Sequence, residues 1–250
     1  MTYSSALFKS EKEDLSKAQE NKYQQLIDQL KIESHHKILE IGCGWGGFAE
    51  YAAKNIGCEI KGITISPSQL EFAKSRIKNQ GLDNKVTLEL CDYRDLKGKF
   101  DRVVSIEMIE AVGEKYWIDY FKKIKEVLSK GGMAGIQVIL INNKSYERYS
   151  KSVDFIQRYV FPGGMLPSQE KLNENYKKSG LKEIQSSSFG KSYAKTLGIW
   201  HEDFINSIKS IRDLGFDSKL ERIFRYYFSY CKAGFNSEKI DVVQKIIKSA

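Results

Sequence analysis

The sequence predicts an α/β fold: a mainly parallel, doubly wound sheet of seven strands carrying a helical lid or insertion. Three observations point there. Short apolar runs alternate with helix-period patterns through most of the chain. The first run feeds straight into a glycine-rich turn, Gly42-Cys43-Gly44-Trp45-Gly46-Gly47, that opens a helix. Strands joined through helices imply right-handed crossovers, which cover both faces of a parallel sheet.

Each element has its own justification. Residues 11–31 put Leu15, Ala18, Tyr23, Leu26, Ile27 and Leu30 near one helical face. Residues 37–41 are a short apolar strand, and the helix behind the glycines carries Phe48, Tyr51 and Ala52. Residues 59–65 form a second strand. Ser66 as N-cap and Pro67 at the first helical position then open a helix to about Asn79, which Gly81 ends. Further strands fall at 86–90, 102–106 and 133–141, with a helix over 115–129 closed by Lys130-Gly131-Gly132. Residues 142–170 hold Asn142-Asn143, many tyrosines and the turn-rich Phe161-Pro162-Gly163-Gly164-Met165-Leu166-Pro167. Too aromatic to be left in water, this segment predicts an inserted lid. A helix near 168–179 and a strand near 181–189 follow, then helices over 192–212 and 217–232 and a last strand over 241–248.

Composition removes several classes. Hydrophobic residues at 41% and aromatics at 12% exclude disorder, and three prolines with 19 glycines exclude Pro-rich or collagen-like chains. No window approaches the ~18 apolar residues of a membrane span, and the first residues lack a secretory pattern. Cys43, Cys58, Cys91 and Cys231 lie far apart with no C-x-x-C pair, and His35, His36 and His201 lack ligand spacing. Neither a metal site nor a disulfide framework is expected, and a reduced cytoplasmic setting fits best. The histidines are expected at the surface. A charge of 40 − 32 = +8 suits nucleic acid or an anionic membrane face. Neither a long Lys/Arg run nor an RNP-like motif occurs, so composition alone does not choose between the two; the partner expected is the membrane face, with no nucleic acid.

The glycine turn is the strongest local signal. A dinucleotide site asks for G-x-G-x-x-G with a pyrophosphate on the helix end. Here the spacing is G-x-G-x-G, and an acid, Glu40, precedes it. That acid would repel a pyrophosphate but could pair with an ammonium group. Glu40-Ile41-Gly42-Cys43-Gly44-Trp45-Gly46 after the first strand resembles motif I of the S-adenosylmethionine-dependent methyltransferases, which have a Rossmann-like fold. Further matches narrow the resemblance: Gly62-Ile63-Thr64-Ile65-Ser66, Asp92-Tyr93-Arg94-Asp95-Leu96, Phe100-Asp101-Arg102-Val103-Val104-Ser105, Glu110-Ala111-Val112-Gly113 and Phe161 through Ser168. This ordered series, with Tyr3-Ser4 and Tyr230-Cys231-Lys232-Ala233-Gly234-Phe235, is similar to the family of cyclopropane-fatty-acyl-phospholipid synthases and mycolic acid cyclopropane synthases.

The resemblance implies a division of the chain and a set of contacts. Residues 1–34 would be a helical segment covering the cofactor, and 35–250 the catalytic domain with its lid at about 142–170. Tyr3 and Ser4 would close over the methionine end of S-adenosylmethionine. Gly42, Gly44 and Gly46 would let it lie on the backbone beside Glu40. Thr64 and Gln69 would hold the ribose, where many methyltransferases carry an acid, and Asp92 and Tyr93 would face the adenine. A bound bicarbonate ion is the family's base. Its holders map to Cys43, Glu110, the Ile139 backbone and Tyr193. The fifth holder, a histidine in better-known members, is Gln137 here, which can hydrogen-bond an anion but cannot relay a proton near neutral pH. Glu107 is the weaker of the two acids after the fourth strand, and Cys43 is assigned contact rather than nucleophilic work.

In this chemistry a cis alkene takes the sulfonium methyl, leaving a carbocation that closes to a ring when the new methyl loses a proton. Aromatic faces stabilise such a cation by ~1–2 kcal/mol each where water is excluded. Tyr146, Tyr149, Phe155, Tyr159, Phe161, Tyr193, Tyr226, Tyr227 and Phe228 could wall the acyl tunnel, although most are expected in core or lid packing. The expected substrates are unsaturated phospholipid acyl chains, met at the anionic inner face of the membrane by a peripheral protein. Because the chain begins near the cofactor region, docking would come from the catalytic domain or another protein. The homodimer is left open. Alternatives are a methyl-branching lipid methyltransferase, a small-molecule N-methyltransferase, and a non-catalytic lipid-binding scaffold.

Overall fold

The computed structural model describes residues 1–250. Five strands are parallel: β1 (Lys37–Ile41), β2 (Glu59–Thr64), β3 (Val86–Leu90), β4 (Phe100–Ile106) and β5 (Leu128–Ile141). Two more, β6 (Leu181–Ser188) and β7 (Ile240–Ser249), complete one sheet in the order β3-β2-β1-β4-β5-β7-β6, with β7 antiparallel to both neighbours. The order reverses between β1 and β4. Parallel sheets open a crevice at such a switch point, beyond the C-terminal strand ends.

Helices cover the faces. On one side α1 (Leu15–Leu30), α2 (Gly47–Ile56) and α3 (Pro67–Asn79) bury Leu26, Leu30, Phe48, Ala52, Ala73 and Ile77 against Ile38, Ile60 and Val104. Asp14 caps α1 by accepting from the Lys17 amide, and Ser66 caps α3 by accepting from the Gln69 amide. On the other side α4 (Trp117–Val127) packs Trp117, Tyr120, Phe121 and Ile124 under Leu39, Ile41 and Val103.

The lid folds as α5 (Asn143–Ser150) and α6 (Phe155–Tyr159), followed by the Phe161–Pro167 turn and α7 (Gln169–Ser179). Backbone bonds tie that turn down: the Met165 amide donates to the Glu110 carbonyl at 2.8 Å and the Ile141 amide to the Pro167 carbonyl at 3.0 Å. After β6 come α8 (Gly190–Asn206), α9 (Ile208–Asp213) and α10 (Ser218–Asn236). α8 and α10 form a separate aromatic layer with Tyr193, Phe228 and Phe235 inside it.

Two sequence expectations need correction. The helix expected over 115–129 stops at Val127, because Leu128 already pairs with Phe100 across the sheet. Gly131-Gly132 therefore lies inside β5, at the irregularity where the register passes from Leu128 to Met133. His201 is not a surface residue either. It is half-buried, its ring stacks on Phe228 at 5.6 Å, and its Nε2 is out of solvent without a hydrogen-bond partner.

Candidate active site

Where β1 ends, the chain needs backbone angles that L side chains avoid. Gly42 has φ +80°, and a Cβ there would stand 2.9 Å from Met108 Cγ. Gly44 has φ +51° and faces the Tyr3 ring, 3.5 Å from where its Cβ would be. The Gly42 and Cys43 amides both donate to the Ile63 carbonyl, at 3.0 and 2.8 Å, which pins the turn to β2. The result is a cleft of about 420 Å³, part of it open to solvent, between the turn and the N-terminal segment. Tyr3, Ser4, Glu40, Gly42, Cys43 and Gly44 all line it, together with Glu107.

A strap of N-terminal residues forms the roof. Gln19 Nε2 donates to the Ser4 carbonyl at 3.0 Å, the Leu7 amide to the Ala18 carbonyl at 2.9 Å, and the Ala6 amide to Thr196 Oγ1 at 3.2 Å. Thr64 Oγ1 donates to Gln69 Oε1 at 3.0 Å, and Gln69 Nε2 donates to Tyr3 Oη at 3.1 Å, so the end of β2 is joined to the strap. Gly46 stands behind the cleft as the N-cap of α2. Asp92 and Tyr93 follow β3, outside the cleft lining. Asp92 is held by the Arg94 guanidinium at 2.6 and 3.0 Å, and Tyr93 meets Tyr120 edge-on at 5.6 Å.

Glu40 carries the electrostatic signature of a cation site. It is 3% exposed, and its Oε2 has no hydrogen-bond partner. Burial pushes its carboxyl up to about 8, against the pull of the Lys22 ammonium and the Ala49 amide. An orphaned buried carboxylate oxygen lining a cleft fits the ammonium of a methionine moiety, and the bare glycine backbone beside it fits the rest. These residues therefore fit S-adenosylmethionine.

The residues expected around an anion do come together, but their donors are already spent on the protein itself. Tyr193 Oη donates to Glu107 Oε2 at 2.8 Å, Gln137 Nε2 to Glu107 Oε1 at 2.8 Å, and the Ser5 amide to Glu107 Oε1 at 2.9 Å. The Ile139 amide donates to Glu110 Oε1 at 2.7 Å. Burial, then the neighbouring Glu107, pushes the Glu110 carboxyl up to about 8. Glu110 Oε2 is buried and unpartnered. Cys43 is 4% exposed, and burial raises its thiol far above its usual range, so it is no nucleophile. With Tyr193, Gln137 and the Ser5 amide engaged by Glu107 and the Ile139 amide engaged by Glu110, this donor set does not fit a further anion such as bicarbonate.

Glu107, the weaker candidate of the two acids by sequence, is the one that lines the cleft and gathers three donors. Its backbone sits at φ +50°, in the left-handed region that a glutamate seldom enters. A locally costly backbone retained beside a ligand cleft is a functional signal. Only the three-dimensional structure shows it, since nothing in the spacing Glu107-Met108-Ile109-Glu110 ranks one acid above the other. Lys22 was missed as well. Fully buried, it donates to Ser4 Oγ at 2.8 Å and Gln19 Oε1 at 2.5 Å, and burial lowers its ammonium to about 7 while Glu107 and Glu40 oppose the shift.

The sheet order, its reversed seventh strand and the glycine-walled cleft define a Rossmann-like domain of the S-adenosylmethionine-dependent methyltransferase class. The family model for mycolic acid cyclopropane synthetase matches residues 1–245, and the chain belongs to that family. It is similar to the tuberculostearic acid methyltransferase UfaA1 of Mycobacterium tuberculosis, at 36% identity over 98% of this chain and 59% of that protein. It is also similar to the cyclopropane-fatty-acyl-phospholipid synthase of Escherichia coli, at 34% identity over 98% of this chain and 62% of that protein. The chain thus spans about three fifths of these curated relatives. Among solved structures, the cyclopropane synthase MmaA2 of Mycobacterium tuberculosis superposes with a TM-score of 0.90 at 25% identity, covering 98% of this chain and 89% of that one. The mycolic acid cyclopropane synthase CmaA1, solved with SAH and CTAB, gives 0.91 at 24% identity over 98% and 89% of the two chains. The second of these shows the fold alone.

Proposed function

We propose that this chain is the catalytic region of a lipid C-methyltransferase that adds one carbon to the cis double bond of an unsaturated phospholipid acyl chain, closing a cyclopropane. The observation that carries this reading is the Glu107 carboxylate, held by three donors in the lining of the glycine-walled cleft. S-adenosylmethionine supplies the electrophilic methyl. Glu40 would receive its ammonium, Gly42 and Gly44 its backbone face, and Tyr3 and Ser4 would cover it. Once an alkene carbon has taken the methyl, the neighbouring carbon is cationic. Oε2 of Glu107 then removes a proton from that methyl, and the freed C–H electron pair closes the ring. A carboxylate beside a developing cation also stabilises it electrostatically.

A second product is favoured by one observation. The base is a side chain fixed on the turn after β4, and no histidine stands at position 137. If Glu107 instead takes a proton from a chain carbon beside the cation, that C–H electron pair forms a C=C bond and the product is a methyl-branched chain that stays unsaturated; a saturated branch would need a separate hydride donor. Both products use the same residues.

The surface suits an encounter with a bilayer. Phe155 of α6 packs edge-on against Tyr226 of α10 at 4.5 Å, and Tyr226 stacks on Tyr230 at 5.7 Å. Tyr159, Tyr226 and Tyr230 still stand partly exposed, as do Leu214 and Phe216 at the turn into α10, while Arg158, Arg222 and Arg225 lie on the same helices. Aromatic and cationic side chains together favour an anionic lipid interface. No helix is long and apolar enough to cross a membrane.

The test is incubation with methyl-labelled S-adenosylmethionine and vesicles of unsaturated phosphatidylglycerol or phosphatidylcholine, followed by fragmentation mass spectrometry of the acyl chains. Label is expected in the acyl fraction, one CH2 heavier, and more of it with the anionic vesicles. Label confined to a headgroup or a small amine would overturn the reading in favour of N-methylation. Absence of any binding heat with S-adenosylmethionine would leave only a scaffold.

A further inference from the structure

Gln137 on β5 and Gln244 on β7 stand directly opposite one another in the antiparallel ladder. Their side chains are 1% and 0% exposed. Two amides inside a sheet-and-helix core are costly unless their polar atoms are partnered. Here they form a chain. Gln25 Nε2 of α1 donates to Gln244 Oε1 at 3.0 Å. Gln244 Nε2 donates to the Lys22 backbone carbonyl and to Gln137 Oε1, both at 3.0 Å. Gln137 Nε2 ends the chain on Glu107 Oε1 at 2.8 Å.

The direction of that chain is not free. A backbone carbonyl can only accept. The Lys22 carbonyl therefore requires the NH2 end of Gln244, and the second hydrogen of that NH2 requires Oε1 of Gln137. This leaves the NH2 of Gln137 for Glu107. The Ser5 amide, which can only donate, meets the same carboxylate oxygen at 2.9 Å. Oε1 of Glu107 thus faces two fixed donors. Oε2 faces Tyr193 Oη at 2.8 Å, a hydroxyl that can either donate or accept.

We propose that Gln244 is a positioning residue: oriented by the Lys22 carbonyl and backed by Gln25, it locks Gln137 as a donor, holds Oε1 of Glu107 as a permanent acceptor and confines proton uptake to Oε2 beside Tyr193. The proposal rests on the assignment of Glu107 as the base. It places the working proton on the one oxygen whose partner can follow it. The charged and titratable groups around Glu107 are Lys22 from α1, Glu110 from the turn after β4, Tyr193 from α8 and Tyr227 from α10. Those groups set how readily the carboxyl ionises. The Ser5 amide and the glutamine chain distinguish one oxygen from the other.

The test uses the whole chain and needs no lipid. Carbon-13 carboxyl NMR titration gives the Glu107 midpoint, with its resonance identified by loss in Glu107→Gln. Removing a donor from an ionised carboxylate raises its midpoint, by about one pH unit for a single hydrogen bond. Gln137→Met is expected to give that shift. Gln244→Met should shift the midpoint in the same direction through the freed Gln137, and Gln137→Met/Gln244→Met should match Gln137→Met alone, because the second residue acts through the first. An unmoved midpoint in Gln244→Met, or shifts that add in the double variant, would overturn the proposal. Should Gln244→Met fail to fold, Gln25→Met at the half-buried outer end is expected to give a smaller upward shift, and no shift there counts against the proposal equally. Turnover of Glu107→Gln is read separately. Wild-type turnover in that variant would sink the base assignment while leaving the midpoint shifts standing.

Discussion

Two glutamates three positions apart meet different surroundings. Burial raises the carboxyls of both; at Glu107 three donors and the Lys22 ammonium oppose the shift, whereas Glu110 receives one amide, faces Glu107 and keeps a buried oxygen unpartnered. With its carboxyl near 8, Glu110 is mostly neutral at pH 7 and resembles the amide that would replace it. Glu107→Gln is therefore expected to slow single-turnover methyl transfer by about 10²–10⁴-fold, while Glu110→Gln costs less than about tenfold at pH 7. SAH affinity by calorimetry should stay within about twofold in both. The reverse ranking would move the base role from Glu107 to Glu110. Both acids were legible as rim residues from sequence. Which of them Tyr193 would meet was not, since the two partners lie 86 positions apart and only the docking of α8 brings them together.

The glycine turn and the strap over it are the elements that make the cleft. Gly42→Ala meets both a positive φ and Met108 Cγ at 2.9 Å, so it should lower SAH affinity by at least about tenfold as well as costing roughly 1 kcal/mol of backbone strain. Gly81→Ala makes a fitting control. It carries a similar φ of +65° with nothing within 4 Å, so it should lose comparable stability in urea denaturation and keep its SAH affinity. Equal affinity loss in both would mean that the turn acts only through stability. Periodicity found the strands and helices because one face of each is buried, and it misplaced the end of α4 because Leu128 obeys a cross-sheet partner rather than its own neighbours. Neither periodicity nor composition could show that residues 2–8 lie across the cleft, because that strap is held by single hydrogen bonds to α1, α8 and Glu107.

Across the molecule, buried titratable groups couple stability to pH. Glu40 and Glu110 are both raised to about 8 from 4.5, so the folded state keeps protons that the unfolded chain releases. Their stabilisation is complete below 4.5 and is lost as pH rises through 8. Lys22, lowered from 10.5 to about 7, has the opposite sign: its contribution is present above 10.5 and is lost as pH falls through 7. Stability should therefore fall from pH 5 to pH 7, with the two trends opposing between 7 and 8. Glu110→Gln removes one of the falling contributions. Its urea midpoint should gain on that of the wild type steadily from pH 5 to pH 8, and a constant gap would show that Glu110 does not titrate in this window.

From the chain alone came the alternation of elements, the glycine turn with its preceding acid, the aromatic lid and the family they resemble. Each is written locally, in periods of two and 3.6 residues or in a contiguous motif, so neighbours in sequence suffice to reveal it. The hub of the site was decided only by tertiary structure. Gln25, Gln137 and Gln244, Tyr193 and Glu107 come from two helices, two strands and a turn, and no local pattern relates them. A buried hydrogen bond forms between whichever donors and acceptors the packed core leaves together, and that is fixed by strand order and register. An amide chain that takes its direction from one helical carbonyl has no signature in sequence, because the partner that orients it is backbone, which every residue carries.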